Sequence, residues 1–212
     1  MHLTFHRRVA RFALALAAAA TLASCVPTVQ KTPTAPAAPP PPPTADASFE
    51  RIARRYLDQA PAFRPVRATE IGDHRFDARL DDVSEGTRAA RIALAESLLQ
   101  ELAGLDRSRL TRAHQVDAAL LSHELEYEIW RLRELADWRW NPLLYTDIAG
   151  GSIYSLMARD FASLSQRVAN AGARLAELPR LLAQVRETLD PARVPKIHAE
   201  TAVLYGDRKS VV

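Results

Sequence analysis

The fold is decided by residues 112–136, which read RAHQVDAALLSHELEYEIWRLRELA. At about 100° per residue, Val116, Leu120, His123, Tyr127 and Trp130 fall on one stripe. Leu121, Leu125, Ile129, Leu132 and Ala136 fall on another, on the opposite side. A helix apolar on two sides lies between layers, so this segment predicts an all-α protein in which helices stack on both of its faces. Its polar edges carry Asp117, Glu124 and Glu128 on one side and Gln115, Glu126 and Arg133 on the other.

The flanking sequence extends the same pattern, with too few β-branched alternations to argue for a sheet. Ser48 is placed to cap a first helix through about Gln59, with Phe49, Ile52, Ala53 and Tyr56 on one stripe. Residues 61–82, rich in Pro, Gly and Asp, read as a long irregular connection. Residues 85–105 form a second helix, with Ile92, Ala95, Leu98, Leu99 and Leu102 on a single face.

Beyond the central helix, the turn Trp140-Asn141-Pro142, Asp147 and the pair Gly150-Gly151 mark a loop before a short helix around residues 153–157. Phe161, Leu164, Val168, Ala171, Leu175, Leu178, Leu182, Val185 and Leu189 then alternate steps of three and four, a heptad-like seam that predicts antiparallel helix packing. Pro179 interrupts it and predicts a kink or two abutting helices. Pro191 and Pro195 open a last helix that Gly206 cuts short. The fold expected is an antiparallel helical array, the N-terminal part of a larger helical domain, over residues 48–206.

The N-terminus has another character. Arg7, Arg8 and Arg11 precede an apolar run over residues 12–22 that exits on the small residues Ala23 and Ser24, the three parts of a secretory signal. The run is shorter than the roughly 20 residues a membrane span needs. Leu22-Ala23-Ser24-Cys25 matches the lipobox of exported bacterial lipoproteins, so residues 1–24 are expected to be removed by cleavage between Ser24 and Cys25. Cys25 would be the lipidation site. Acyl chains contribute about 0.8 kcal/mol per buried CH2, and several on one residue make a stable tether. The alternative is an ordinary secreted protein whose cysteine merely sits near the cut. Cys25 is the only cysteine, so no intramolecular disulfide can form after export, and a free thiol would be a liability there. Val26 in place of an aspartate resembles outer-membrane sorting, which puts the folded part in the cell envelope, facing the periplasm or the cell surface.

A pI near 9.3 and a net charge of +3 suggest nucleic acid as a partner. Three of the arginines leave with the signal, however, and 25 basic residues then face 25 acidic ones. No basic, aromatic-interleaved patch remains for a phosphate backbone. Residues 25–47 follow as the lipidated cysteine and a disordered linker of Pro, Ala and Thr, including Pro39 to Pro43. Such a segment favours polyproline II at about 3.1 Å per residue and serves as a stalk; a Pro-rich ligand for a recognition domain is the other use. At the far end, residues 207–212 can be encoded by a widely used sequencing-adapter sequence and are expected to be a sequencing or cloning scar, with the natural protein continuing past Tyr205.

Chemistry is hard to find. His123-Glu124 begins a zinc-protease helix motif, but Tyr127 stands where the second histidine belongs. A histidine inside an apolar stripe is the plainer reading. His74, between Asp73 and Arg75, sits in a connection of the kind that carries function, although solvated Asp-His pairs are common. His198 and Glu200 do not share a helical face, and His114 has no evident partner. Gly150-Gly151 lacks the Lys-Ser or Lys-Thr of a phosphate loop, and there is no Gly-x-Ser-x-Gly elbow. Trp138, Trp140, Tyr145 and Tyr154 either line a ligand groove or pack as core at a helix turn.

Three segments carry a resemblance. They are Pro65-Val66-Arg67-Ala68-Thr69-Glu70-Ile71-Gly72-Asp73-His74 with Arg79-Leu80-Asp81-Asp82; Trp140-Asn141-Pro142-Leu143-Leu144-Tyr145; and Arg174-Leu175-Ala176-Glu177-Leu178-Pro179-Arg180-Leu181-Leu182. In order and spacing the folded part resembles the bacterial family catalogued as domain of unknown function 885. The resemblance implies a largely helical metallopeptidase, longer than this chain, with zinc bound far downstream and peptides as substrate. It carries no catalytic or metal-binding residue onto this sequence, so zinc is expected only for the full-length protein. The contrasting expectation is a non-catalytic helical envelope lipoprotein that binds a partner.

Overall fold

The computed structural model describes residues 43–209, and among the described residues the chain forms helices and no strand. The expected signal segment, its cleavage point at Ser24 and Cys25, and the linker as far as residue 42 lie outside the described residues, as do residues 210–212.

Helix α1 spans Ala45–Gln59. Its cap is Thr44, whose hydroxyl accepts from the Ala47 amide at 3.2 Å, and the Ser48 amide already donates to Thr44 O within the first turn. The helix therefore starts before the expected cap at Ser48 and takes in residues 45–47 of the expected linker. A hydroxyl cap followed by Asp46 in the first turn suits a helix N-terminus.

The connection expected to be irregular contains a helix, α2, over Pro65–Glu70, flanked by short 3-10 turns. Pro65 supplies the preset φ of a helix start, a signal hidden among the other turn-forming residues. Helix α3 (Glu85–Ala103) is capped by Ser84, and α4 (Arg112–Trp130) by Thr111. A π-helical stretch, Arg131–Leu135, prolongs α4 and stops at Ala136, a left-handed residue at φ 45°.

Helix α5 runs over Leu143–Met157, so Gly150-Gly151 is not a loop. A Cβ on Gly151 would meet Glu70 Oε1 at 3.1 Å and Val66 Cγ1 at 3.4 Å. The glycine lets α5 approach α2 closely. Helix α6 (Leu164–Thr188) runs through Pro179 as one element, which removes the second of the two expectations, a kink or two abutting helices. Pro179 faces solvent, where water can satisfy the carbonyl it leaves without a donor. Helix α7 (Lys196–Lys209) likewise passes Gly206 rather than ending there.

Two cores result. Phe49 and Ile52 of α1, Ala95, Leu98 and Leu102 of α3, and Ala118, Leu121 and Leu125 of α4 form the first. Val66 of α2, Leu80 and Leu181 of α6 form the second, with Ile148, Ala149, Leu178 and Val185 against it. Each fully buried leucine, such as Leu98 or Leu181, contributes roughly 1.5–3 kcal/mol over leaving it exposed.

The two-sided burial expected of α4 is half realised. Leu121, Leu125, Leu132 and Ala136 are buried, whereas Val116, Leu120, Tyr127 and Trp130 are exposed, Leu120 at 63%. Helices α1 and α3 reach α4 from one side, and nothing among the described residues covers the other. The expected seam of α6 is also shifted. Leu164, Val168, Leu175 and Leu182 are exposed, and the buried face carries Arg167, Asn170, Ala171, Arg174 and Leu181. Among the described residues no helix is long and apolar enough to cross a membrane.

Candidate functional site

A short run of sequence folds back on itself to build the site. After α2 the chain turns at Gly72, whose φ of +92° is costly for a side-chain-bearing residue. Asp73 then caps the turn His74–Phe76, accepting from the Arg75 amide, and Arg75 Nη2 donates to Asp73 and to Leu57 O. The neighbouring guanidinium holds the Asp73 carboxyl below its ordinary value. This turn lays His74 and Asp77 over Thr69.

Thr69 Oγ1 donates to Asp77 Oδ1 at 2.7 Å, and His74 Nδ1 donates to Asp77 Oδ2 at 3.0 Å. Asp77 is buried, while His74 is partly exposed and stacks on Phe161 at 3.8 Å and 13°. Thr69 Oγ1 also lies 3.2 Å from Pro65 O, but a hydroxyl has one proton, and the closer, charged carboxylate takes it.

Behind Thr69 stands Arg174, which has no exposed surface. Its Nη2 donates to Thr69 Oγ1 at 2.6 Å and Pro65 O at 3.3 Å, its Nε to Arg79 O at 2.9 Å, and its Nη1 to Ser152 O at 2.8 Å. Burial disfavours its charge, and the fields of Asp77, Asp81 and Glu70 oppose that. Asp81, buried and accepting from the Val66 amide at 2.9 Å, is pushed above the ordinary carboxyl value by burial. One side chain on α6 thus holds α2, the following turn and α5 together.

The network ends in an open cleft of about 380 Å³ lined by His74, Asp77, Phe161, Gln166 and Asn170. Among the described residues His74 Nε2 makes no hydrogen bond. A carboxylate on Nδ1–H fixes the tautomer and leaves the Nε2 lone pair free to accept a proton or a metal ion. The arrangement can therefore orient a base. It does not form a zinc site: among the described residues no three His, Cys, Asp or Glu side chains converge. The zinc implied by the resemblance finds no ligand set there.

The other residues singled out by sequence are dispersed. Cys25 and Ser24 lie outside the described residues. His123 is exposed, and Glu124 is exposed beside a different cavity. His114 has a partner after all, Asp46 at 2.8 Å, which raises the histidine pKa and lowers that of the aspartate. His198 packs on Trp140 with a buried, unpartnered Nδ1, and Glu200 is instead an exposed partner of Lys196. Trp138 and Trp140 donate to Leu132 O and Leu135 O, and Tyr145 to Trp138 O; Tyr145 is buried as core, whereas both tryptophans are half-buried and Trp138 borders an open cleft. Burial pushes the Tyr145 phenol up to about 12. Tyr154 stands apart and exposed. Thr69, Asp77, Asp81 and Arg174 were missed as a group. The available signal was Arg174 itself, three residues after Ala171 and four before Leu178 on the inward side of the seam.

Among solved structures, a candidate lipoprotein of unknown function from Shewanella oneidensis is similar, with 25% identity and a TM-score of 0.71. The match covers 77% of this chain and 29% of that one, so the chain spans less than a third of the Shewanella protein's length. No curated protein matches. A family model described as a bacterial protein of unknown function, DUF885, matches residues 65–207. That span contains every residue of the Arg174 network.

Proposed function

Because the chain belongs to the DUF885 family of bacterial proteins, we propose that it is the N-terminal portion of an exported envelope protein, lipid-anchored through Cys25. The observation that carries this reading is the apolar run closing on Leu22-Ala23-Ser24-Cys25. The description of the Shewanella protein as a candidate lipoprotein supports it. The lipid would sit in the outer membrane, with the helical array held off the bilayer by the Pro-rich stalk.

The array itself is proposed to wall a substrate channel in a larger helical zinc metallopeptidase acting on peptides, with the zinc ligands outside this chain. The open apolar stripes on α4 and α6 and the 29% coverage of the Shewanella protein support further helical layers. Labelling cells with an alkyne analogue of palmitate tests the anchor: label should appear on the protein and vanish in Cys25→Ser, and equal labelling of both would overturn it. The peptidase reading is tested on the protein encoded by the complete gene. Chelator-sensitive cleavage of short peptides is expected, and its absence would leave a helical envelope lipoprotein that binds a partner.

A further inference from the structure

A second cavity, independent of the peptidase reading, lies between α1, α2, α3 and α4 and encloses about 150 Å³. Tyr56, Phe63, Leu94 and Leu125 form its walls, and the exposed Leu57 and Ile71 form its rim. An apolar cavity of this volume accommodates a compact ligand on the scale of benzene.

Its floor is charged. Arg64 Nη2 pairs with Glu128 Oε2, and Arg91 Nε donates to Glu128 Oε1 at 2.7 Å. Glu128 and Arg91 are largely shielded from solvent, and the Arg64 side chain is a third exposed. Arg67, at the edge, is occupied by Glu70 at 3.0 Å, and Glu124 stands exposed at the mouth. Both guanidinium groups contact Glu128, while the field of Glu124 reaches Arg64 and that of Asp81 reaches both from farther off. Glu128 takes one nitrogen of Arg64 and two of Arg91, which leaves each guanidinium further N–H groups. Burial and the like charge of Arg64 both disfavour the Arg91 cation, and Glu128 offsets them only in part. A ligand carboxylate would take these N–H groups in place of water.

The geometry points to a binding site for a small apolar carboxylate, its tail in the cavity and its carboxylate on the N–H groups of Arg64 and Arg91 that Glu128 leaves over. That chemistry belongs both to a short fatty acid and to the C-terminal leucine or valine of a peptide. Glu128 holds the guanidinium groups in place, and the apolar walls reject a charged tail.

Titration of the purified chain by calorimetry or NMR, with hexanoate, N-acetyl-leucine and their two amides, tests the site. At least one acid should bind with a Kd on the order of 1 mM, within reach of a ligand of this size. Its amide should bind about tenfold more weakly or not at all. Preference for hexanoate assigns a free fatty acid, and preference for N-acetyl-leucine a peptide end. Arg91→Gln should abolish the difference between acid and amide. Because that change could also loosen the buried pair, Leu94→Phe, which fills the cavity and leaves the charges intact, should block all binding. Equal affinity for acid and amide, no binding at about 20 mM, or unchanged binding in Leu94→Phe would overturn the proposal.

Discussion

Thr69 and Arg174, 105 residues apart in the chain, meet at 2.6 Å, the guanidinium Nη2 donating to the threonine hydroxyl. The bond joins α2 to α6, and through Asp77 it reaches His74 at the surface. Removing the arginine would take the side-chain donor from the Arg79 carbonyl and the second donor from the helical carbonyls of Pro65 and Ser152. Arg174→Met should destabilise the chain by about 3–5 kcal/mol, read as a fall in the urea midpoint. Arg174→Lys should rescue little, because an ammonium cannot span the same acceptors. Thr69→Val should cost about 1–3 kcal/mol.

The His114–Asp46 pair makes stability depend on pH. His114 has its folded pKa raised above the usual 6.5, chiefly by the hydrogen bond to Asp46, so its contribution is full below 6.5 and fades as pH rises through the folded value. Asp46 is lowered below the usual 3.8, so its contribution is present above 3.8 and is lost as pH falls through the folded value. Both directions agree. The melting temperature of the native chain should exceed that of His114→Gln most between about pH 4 and 6.5, and the gap should narrow by pH 8. A gap that widens with pH would refute the coupling.

Two helical glycines should respond oppositely to the same change. Around Gly172 on α6 a Cβ meets nothing within 4 Å, so Gly172→Ala should stabilise by about 0.5–1 kcal/mol through helix propensity alone. At Gly151 the same methyl presses on Glu70 Oε1 and Val66 Cγ1. Gly151→Ala should give no such gain, and Gly151→Val should cost about 1–3 kcal/mol by overpacking. Thermal denaturation of the three variants distinguishes them.

The exposed stripe of α6 should be dispensable to this chain. Leu175→Lys with Leu182→Lys should change stability by no more than about 0.5 kcal/mol while reducing light scattering at high concentration. A large loss of stability would mean that these leucines are covered in the isolated chain.

Much of the fold was legible because helix periodicity is local. Residues 85–103 and 112–130 announce α3 and α4 through their apolar spacing. Helix α2 was hidden because its six residues are too few to show a period, and Gly151 read as a loop because a close approach to Val66 leaves no mark in its own neighbours. Within the candidate site only His74 was noticed. Nothing in their own neighbourhoods joins Asp77 to Arg174, which meet only because the fold brings α6 against residues 65–82.

The sequence by itself determined the helical class and the approximate extents of α3 and α4, and it is the whole ground for proposing Cys25 as a lipid site, because each of these rests on residues close together in the chain. Tertiary structure alone decided which stripe of α4 is buried, that Arg174 and not the leucine seam is the heart of α6, and that Glu128 joins Arg64 to Arg91. An apolar or charged side chain carries no label for its partner. The partner is chosen by burial, by the cost of an unpaired polar group and by which helices come within reach.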